Sequence, residues 1–155
     1  MSTSSPSNSS ALVKLYSYVR TLIESCEVIP TAGILPSFSE LKKSPDKFYE
    51  LFSEATYKYN IICDTLQKLQ HANAMLVKVL NDLMNPECRE SYNIKNQYIK
   101  NFTNSKTECY ALISGYETAK ASAESIVKYF NSAQYVITSG RFDSTSVSYW
   151  YLLSI

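Results

Sequence analysis

The sequence predicts an all-α fold: a long antiparallel helical hairpin with a shorter N-terminal helix, forming a three- or four-helix bundle or coiled coil. Along two long segments the apolar residues recur in alternating steps of three and four, the spacing of one helix face. The 155 residues include only 3 glycines and 5 prolines, fewer than a β-fold with many tight turns needs. One Asn-Pro pair separates the two segments, and so short a connection favours antiparallel neighbours.

The first helix is predicted over residues 10–27, after a serine-rich stretch, residues 1–9, that we expect to be disordered. The hydroxyl of Ser9 or Ser10 can accept a hydrogen bond from the free N–H groups of the first helical turn. Prolines and a glycine between residues 29 and 43 end this helix and prevent another from forming across them. The apolar face of the first helix consists of Leu12, Leu15, Tyr16, Val19, Leu22, Ile23 and Cys26.

The second helix is predicted over residues 45–85. Ser44 fits the N-cap, and Pro45 fits the first helical position. Its apolar stripe contains a single polar residue, Asn73, at a position where a buried Asn fixes the register of coiled-coil helices. The stripe consists of Phe48, Phe52, Ala55, Tyr59, Ile62, Leu66, Leu69, Asn73, Leu76, Leu80 and Leu83.

The third helix is predicted over residues 86–139, with Asn85 as its N-cap and Pro86 at its first position. The sequence leaves open whether this helix is continuous through residues 101–105, which are rich in poor helix formers. Its stripe again has one polar member, Ser105. The full stripe is Tyr98, Phe102, Ser105, Cys109, Leu112, Tyr116, Ala119, Ala123, Ile126, Phe130, Ala133 and Ile137.

The C-terminal segment, residues 140–155, differs in pattern from the rest of the chain. Val147, Tyr149, Tyr151 and Leu153 alternate with other residues, which is the spacing of a strand. A single strand has no pairing partner in a helical chain. We therefore expect this segment to fold back on the bundle, to pair with another molecule or to rest on a membrane surface.

A partner interface is predicted because helices of about 40 residues are roughly 60 Å long, and one short helix cannot cover them. The apolar surface left uncovered then requires the same chain in a dimer, or other helical chains. The residues assigned to this interface are Leu66, Leu69, Asn73, Leu76, Leu80, Leu83, Tyr149, Trp150 and Tyr151.

Motifs for catalysis, cofactor binding or metal binding are absent from the sequence, so no catalytic residue, cofactor or metal is predicted. Cys26, Cys63, Cys88 and Cys109 are too far apart in the chain for a CxxC pair, and we interpret them as reduced thiols. The one histidine, His71, falls on the solvent side of the second helix. Basic and acidic residues nearly balance, 15 against 14, which disfavours a nucleic-acid-binding surface.

The function expected from these observations is that of a non-enzymatic structural or adaptor subunit, which assembles with itself or with other helical proteins through coiled-coil surfaces. The alternative is a virion or filament structural protein built from helical hairpins. A membrane-surface module that uses the C-terminal segment is less favoured, and no small-molecule substrate is expected. Since the sequence has no recognisable signal peptide or membrane span, we expect a cytoplasmic protein, or a virion component under the alternative.

Overall fold

A computed structural model describes residues 4–31, 35, 37, 40 and 44–138 of the chain. This part is helical, as predicted, and contains α1 (Ser4–Ser25), α2 (Pro45–Met84) and α3 (Tyr92–Thr138). The predictions for the C-terminal segment, residues 140–155, lie outside the described residues.

Helix α1 begins at Ser4, and the predicted start at residue 10 is corrected accordingly. Residues 4–9, expected to be disordered, form its first turns. Pro6 is compatible with this start, because the N–H groups of the first helical turn have no acceptor within the helix and a missing one costs little. Ser9 and Ser10 therefore lie inside the helix and not at its cap.

The predicted apolar stripe of α2 is confirmed by burial. Every second member of the stripe, beginning at Phe48 and ending at Leu83, is less than a tenth exposed. His71, on the opposite side, is exposed as predicted. The most deeply buried members, with no exposed side-chain surface, are Phe48, Ile62, Leu69 and Leu76.

The connection between α2 and α3 differs from the prediction. Helix α2 ends at Met84, but α3 begins at Tyr92 and not at Pro86. The side chain of Asn85 accepts a hydrogen bond from the Glu87 N–H at 2.9 Å, and the Asn85 carbonyl accepts one from the Cys88 N–H at 2.9 Å. These bonds close a turn after α2. The N-cap of α3 is Ser91, whose hydroxyl accepts a hydrogen bond from the Ile94 N–H at 3.3 Å.

Helix α3 is continuous through residues 101–105 and through Gly115. Poor helix formers are tolerated in this stretch because its inward-facing residues are buried, and packing outweighs local propensity. Phe102 and Cys109 have no exposed side-chain surface, and Ser105 is 1% exposed.

The described residues divide into two packing units. The first comprises the described residues of 1–29 and 65–116, and the second comprises those of 30–64 and 117–155. In the first unit, α1 contacts α3 at several levels. The rings of Tyr16 and Phe102 meet edge to face at 5.9 Å, and Arg20 forms a salt bridge with Glu108.

Helices α2 and α3 also contact each other within the first unit. The Cys109 thiol donates a hydrogen bond to the carbonyl of Leu69, with 3.3 Å between Sγ and O. Leu69 lies 15 residues before the end of α2 at Met84, and Cys109 lies 17 residues after the start of α3 at Tyr92, the near-equal spacing that antiparallel helices produce. This packing is compatible with the predicted hairpin.

The second unit has its own aromatic core. Phe48 from α2 meets Phe130 from α3 with ring centroids 5.5 Å apart. Leu35, which precedes α2, packs against this core with half-buried residues of both helices. The buried residues of the core are Phe48, Ala55, Tyr129, Phe130 and Ala133.

Candidate functional site

Five of the nine residues predicted to form a partner interface are buried within the described part of the chain. These five are leucines of α2 that belong to the first unit, and they are at most 6% exposed. Asn73 is half-buried, and its Oδ1 is inaccessible to solvent. Tyr149, Trp150 and Tyr151 lie outside the described residues. The leucines in question are Leu66, Leu69, Leu76, Leu80 and Leu83.

A groove on the surface of the second unit is a candidate binding site within the described part of the chain. It has a volume of about 520 Å³ and is formed by the N-terminal half of α2 with one residue of α3. Its lining combines three aromatic rings with hydroxyl and amide groups. The lining residues are Tyr49, Phe52, Ser53, Thr56, Tyr57, Asn60 and Gln134.

The spacing along α2 explains how the groove forms. Tyr49, Ser53 and Tyr57 follow one another in steps of four, and therefore lie along one side of the helix. Thr56 and Asn60 continue a parallel row that begins at Phe52. Tyr57 is 67% exposed and Tyr49 is 45% exposed, so both rings are accessible from solvent.

Phe52 fixes the groove to the core of the second unit. Its ring stacks on Phe130 with a centroid distance of 5.7 Å and an interplanar angle of 15°, and it meets Phe48 edge to face at 5.9 Å. The ring of Tyr49 also meets Phe48, at 5.3 Å. Because two lining residues rest on a buried aromatic cluster, the apolar side of the groove is held in place by packing.

The lining of the groove is uncharged and combines aromatic rings with hydrogen-bonding groups. None of the described lining residues has a carboxylate, an imidazole, a thiol or an amine, so the groove offers no strong acid, base or nucleophile. The Thr56 hydroxyl donates to the Phe52 carbonyl at 3.0 Å. Exposed tyrosine rings with neighbouring hydroxyl and amide groups are typical of protein–protein interfaces, in which charged residues are depleted.

The perturbed titratable groups lie apart from this lining. In the first unit, burial raises the pKa of the Cys109 thiol, and the proximity of Cys26 raises it further. Burial also raises the pKa of Tyr116, whose hydroxyl donates to the Cys26 carbonyl at 3.2 Å. In the second unit, a hydrogen bond with Cys63 raises the pKa of Tyr59. In each case the neutral form is favoured, the opposite of what an activated nucleophile needs.

The described residues contain neither a metal-ligand cluster nor a membrane-spanning helix. No group of three or more His, Cys, Asp or Glu side chains in this part of the chain is placed to hold a metal ion. None of the three helices has a stretch long and apolar enough to cross a membrane. The four cysteines all lie in this part, and all are free thiols.

The groove was missed at the sequence level, although a signal for it exists. The predicted apolar stripe of α2 contains Phe52 but no other residue of the groove lining. Tyr49 and Tyr57 lie outside that stripe, two helical turns apart. Large aromatic residues spaced in this way on the polar side of a helix indicate an exposed ring surface.

The chain was also compared with known proteins. It matches no protein-family model, no curated protein and no solved structure. The geometry of the described residues is therefore the basis of the functional proposal.

Proposed function

We propose that this chain is a non-enzymatic structural or adaptor subunit that assembles with itself or with other helical proteins. The observation that carries the proposal is the uncharged aromatic groove of the second unit, with Tyr49 and Tyr57 exposed along it. Tyrosine is enriched at protein interfaces because its ring contributes a large apolar area while its hydroxyl stays hydrogen-bonded.

The buried stripes of α2 and α3 support a bundle or coiled-coil arrangement within the chain. In the first unit the leucines of α2 are buried, and α3 contacts α2 through Cys109 and Leu69. A residue that is already buried in its own chain is not accessible to a partner. The proposed assembly surface is thus the groove and not the leucine stripe.

The occupant that we assign to the groove is a second copy of this chain. The net charge of the chain is +1, so two copies repel each other only weakly. The groove contributes no charge of its own, and each copy carries exposed aromatic residues that a neighbouring groove can accept. A surface that contacts itself produces a closed dimer, whereas one that contacts a different surface produces longer assemblies.

The test is multi-angle light scattering on the full chain over a range of concentrations. We expect a species larger than one chain of 17.6 kDa, and we expect Tyr57→Ala to weaken the association about tenfold or more. Tyr57 is the most exposed aromatic residue of the groove, and its ring contributes nothing to the buried core.

The matched control is Tyr110→Ala, because Tyr110 is 70% exposed but belongs to the first unit. This variant should associate like the wild-type chain. A monomer at every concentration would overturn the assignment of a second copy to the groove. Equal weakening by the two tyrosine variants would show that the groove is not the surface involved.

A further inference from the structure

Each of the two long helices has one polar residue in its buried stripe, and both belong to the first unit. These residues are Asn73 in α2 and Ser105 in α3. Ser105 is 1% exposed, and the Oδ1 atom of Asn73 is also inaccessible to solvent. Among the described residues, neither Asn73 Oδ1 nor Ser105 Oγ has a hydrogen-bond partner.

The register of the helices brings these two residues to the same level. The Cys109 thiol donates to the Leu69 carbonyl, which fixes one point of contact between α2 and α3. Asn73 lies four residues after Leu69, and Ser105 lies four residues before Cys109. In antiparallel helices both steps go the same way, each by roughly 6 Å. The two polar side chains therefore face the same layer of the interior.

Each buried oxygen atom without a hydrogen-bond partner lowers the folding equilibrium constant by about tenfold. The two oxygens do not bond to each other, so no direct contact between them removes this penalty. A water molecule can remove it by hydrogen bonding to both, because water has two protons to donate and can also accept the proton of the serine hydroxyl. Buried waters typically occupy such positions, between polar groups that the protein leaves unpaired.

We propose that Asn73 and Ser105 form a buried site for one ordered water molecule, and that the water-bridged pair selects the register of α2 against α3. The selection follows from what a slip would do. A slip of one heptad would bring Asn73 level with Leu112 or Tyr98, and Ser105 would lie opposite another apolar layer. Both polar groups would then be buried separately against hydrocarbon, which disfavours the slipped pairing.

The first test is a double-mutant cycle on the full chain with Asn73→Leu, Ser105→Ala and the double variant. The folding equilibrium constant of each is measured by urea unfolding. If one water bridges the two side chains, the second substitution costs less once the first is made. The factor by which the folding equilibrium constant falls in the double variant should then be about tenfold smaller than the product of the factors for the two single variants.

Asn81→Leu and Ser122→Ala are the matched controls, because they make the same changes at exposed positions of α2 and α3. In the combined control variant, the two effects on the folding equilibrium constant should simply multiply. If the effects of Asn73→Leu and Ser105→Ala also simply multiply, the proposal is overturned.

The second test detects the water itself in the wild-type chain, by a high-resolution crystal structure or by NMR cross-relaxation between water and the Asn73 amide. We expect one site within hydrogen-bonding distance of both Asn73 and Ser105. A direct hydrogen bond between the two side chains, or oxygens that bond elsewhere without water, would refute the site. This test does not depend on any variant folding.

Discussion

At the scale of single residues, Tyr116 and Gly115 fix how the chain leaves α1. The Tyr116 hydroxyl lies 3.2 Å from the carbonyl oxygen of Cys26 and 3.5 Å from that of Val28. These carbonyls follow the end of α1, so no backbone N–H of that helix donates a hydrogen bond to them. Beside them, the side chain of Ile29 comes so close to Gly115 that a Cβ atom there would have to displace it. One tyrosine and one glycine of α3 thus hold the exit of α1 against α3.

Tyr116→Phe tests this contact with a minimal change. The phenylalanine ring fills the same space, but the buried Cys26 carbonyl loses its donor, so we expect the free energy of unfolding to fall by about 1 kcal/mol. Urea unfolding measures the difference. Tyr110→Phe removes a hydroxyl from a ring that is 70% exposed and should leave stability unchanged. Equal stability of the Tyr116→Phe and wild-type chains would mean that the hydroxyl contributes nothing to the exit of α1.

Tyr129 makes the second unit sensitive to high pH. Burial raises its pKa to about 12, against about 10 for tyrosine in an unfolded chain. A raised pKa in the folded state contributes stability that is complete below the unfolded pKa and is lost as pH rises through the folded one. We expect the free energy of unfolding to fall more steeply between about pH 10 and 12 for the wild-type chain than for Tyr129→Phe. Urea unfolding at several pH values gives the slope of the unfolding free energy against pH for each chain. Equal slopes would show that Tyr129 is not responsible for the loss of stability at high pH.

At the scale of elements, the start of α3 depends on its cap. Ser91 accepts the Ile94 N–H at 3.3 Å through its side chain and the Lys95 N–H at 2.9 Å through its carbonyl. Ser91→Ala removes only the first of these bonds and should lower the free energy of unfolding by about 1 kcal/mol. Circular dichroism during thermal unfolding measures the change. Ser17→Ala, at an exposed position within α1, should have little effect. If the two variants melt alike, Ser91 is not the cap.

The elements also show which parts of the fold the sequence could predict. The buried stripes of α2 and α3 were predictable because a period of three and four residues directly records which side chains face inward. The start of α3 was not. Asn85 and Pro86 fit both a helix start and a turn, and hydrogen bonds to Glu87 and Cys88 decide for the turn. Short polar side chains that bond to nearby backbone make both structures accessible to the same sequence.

At the scale of the whole molecule, the predicted interface depended on an assumption about coverage. A first helix much shorter than the other two was expected to leave their long apolar stripes partly exposed. Within the first unit, however, α2 residues such as Leu69 and Leu76 are fully buried without any partner. Periodicity identifies a buried face but not whether the same chain or another chain covers it. The groove of the second unit had a signal in Tyr49 and Tyr57, but its depth depends on how Phe52 stacks on Phe130, which sequence spacing does not record.

The charge of the whole molecule leads to a prediction for the proposed assembly. The chain carries a net charge of +1, and the described groove residues carry no charge, so Coulomb attraction contributes little to the contact between copies. Salt screens interactions between exposed charges, whereas burial of apolar surface is preserved or strengthened at high ionic strength. We expect the dissociation constant from light scattering to stay constant or fall as sodium chloride is raised. Tyr57→Lys places a like charge in both copies, so its association should be weaker than that of the wild-type chain and should recover partly in high salt. Wild-type assemblies that dissociate as salt is added would instead indicate a contact between charged surfaces, and the groove would not be the surface that joins the copies.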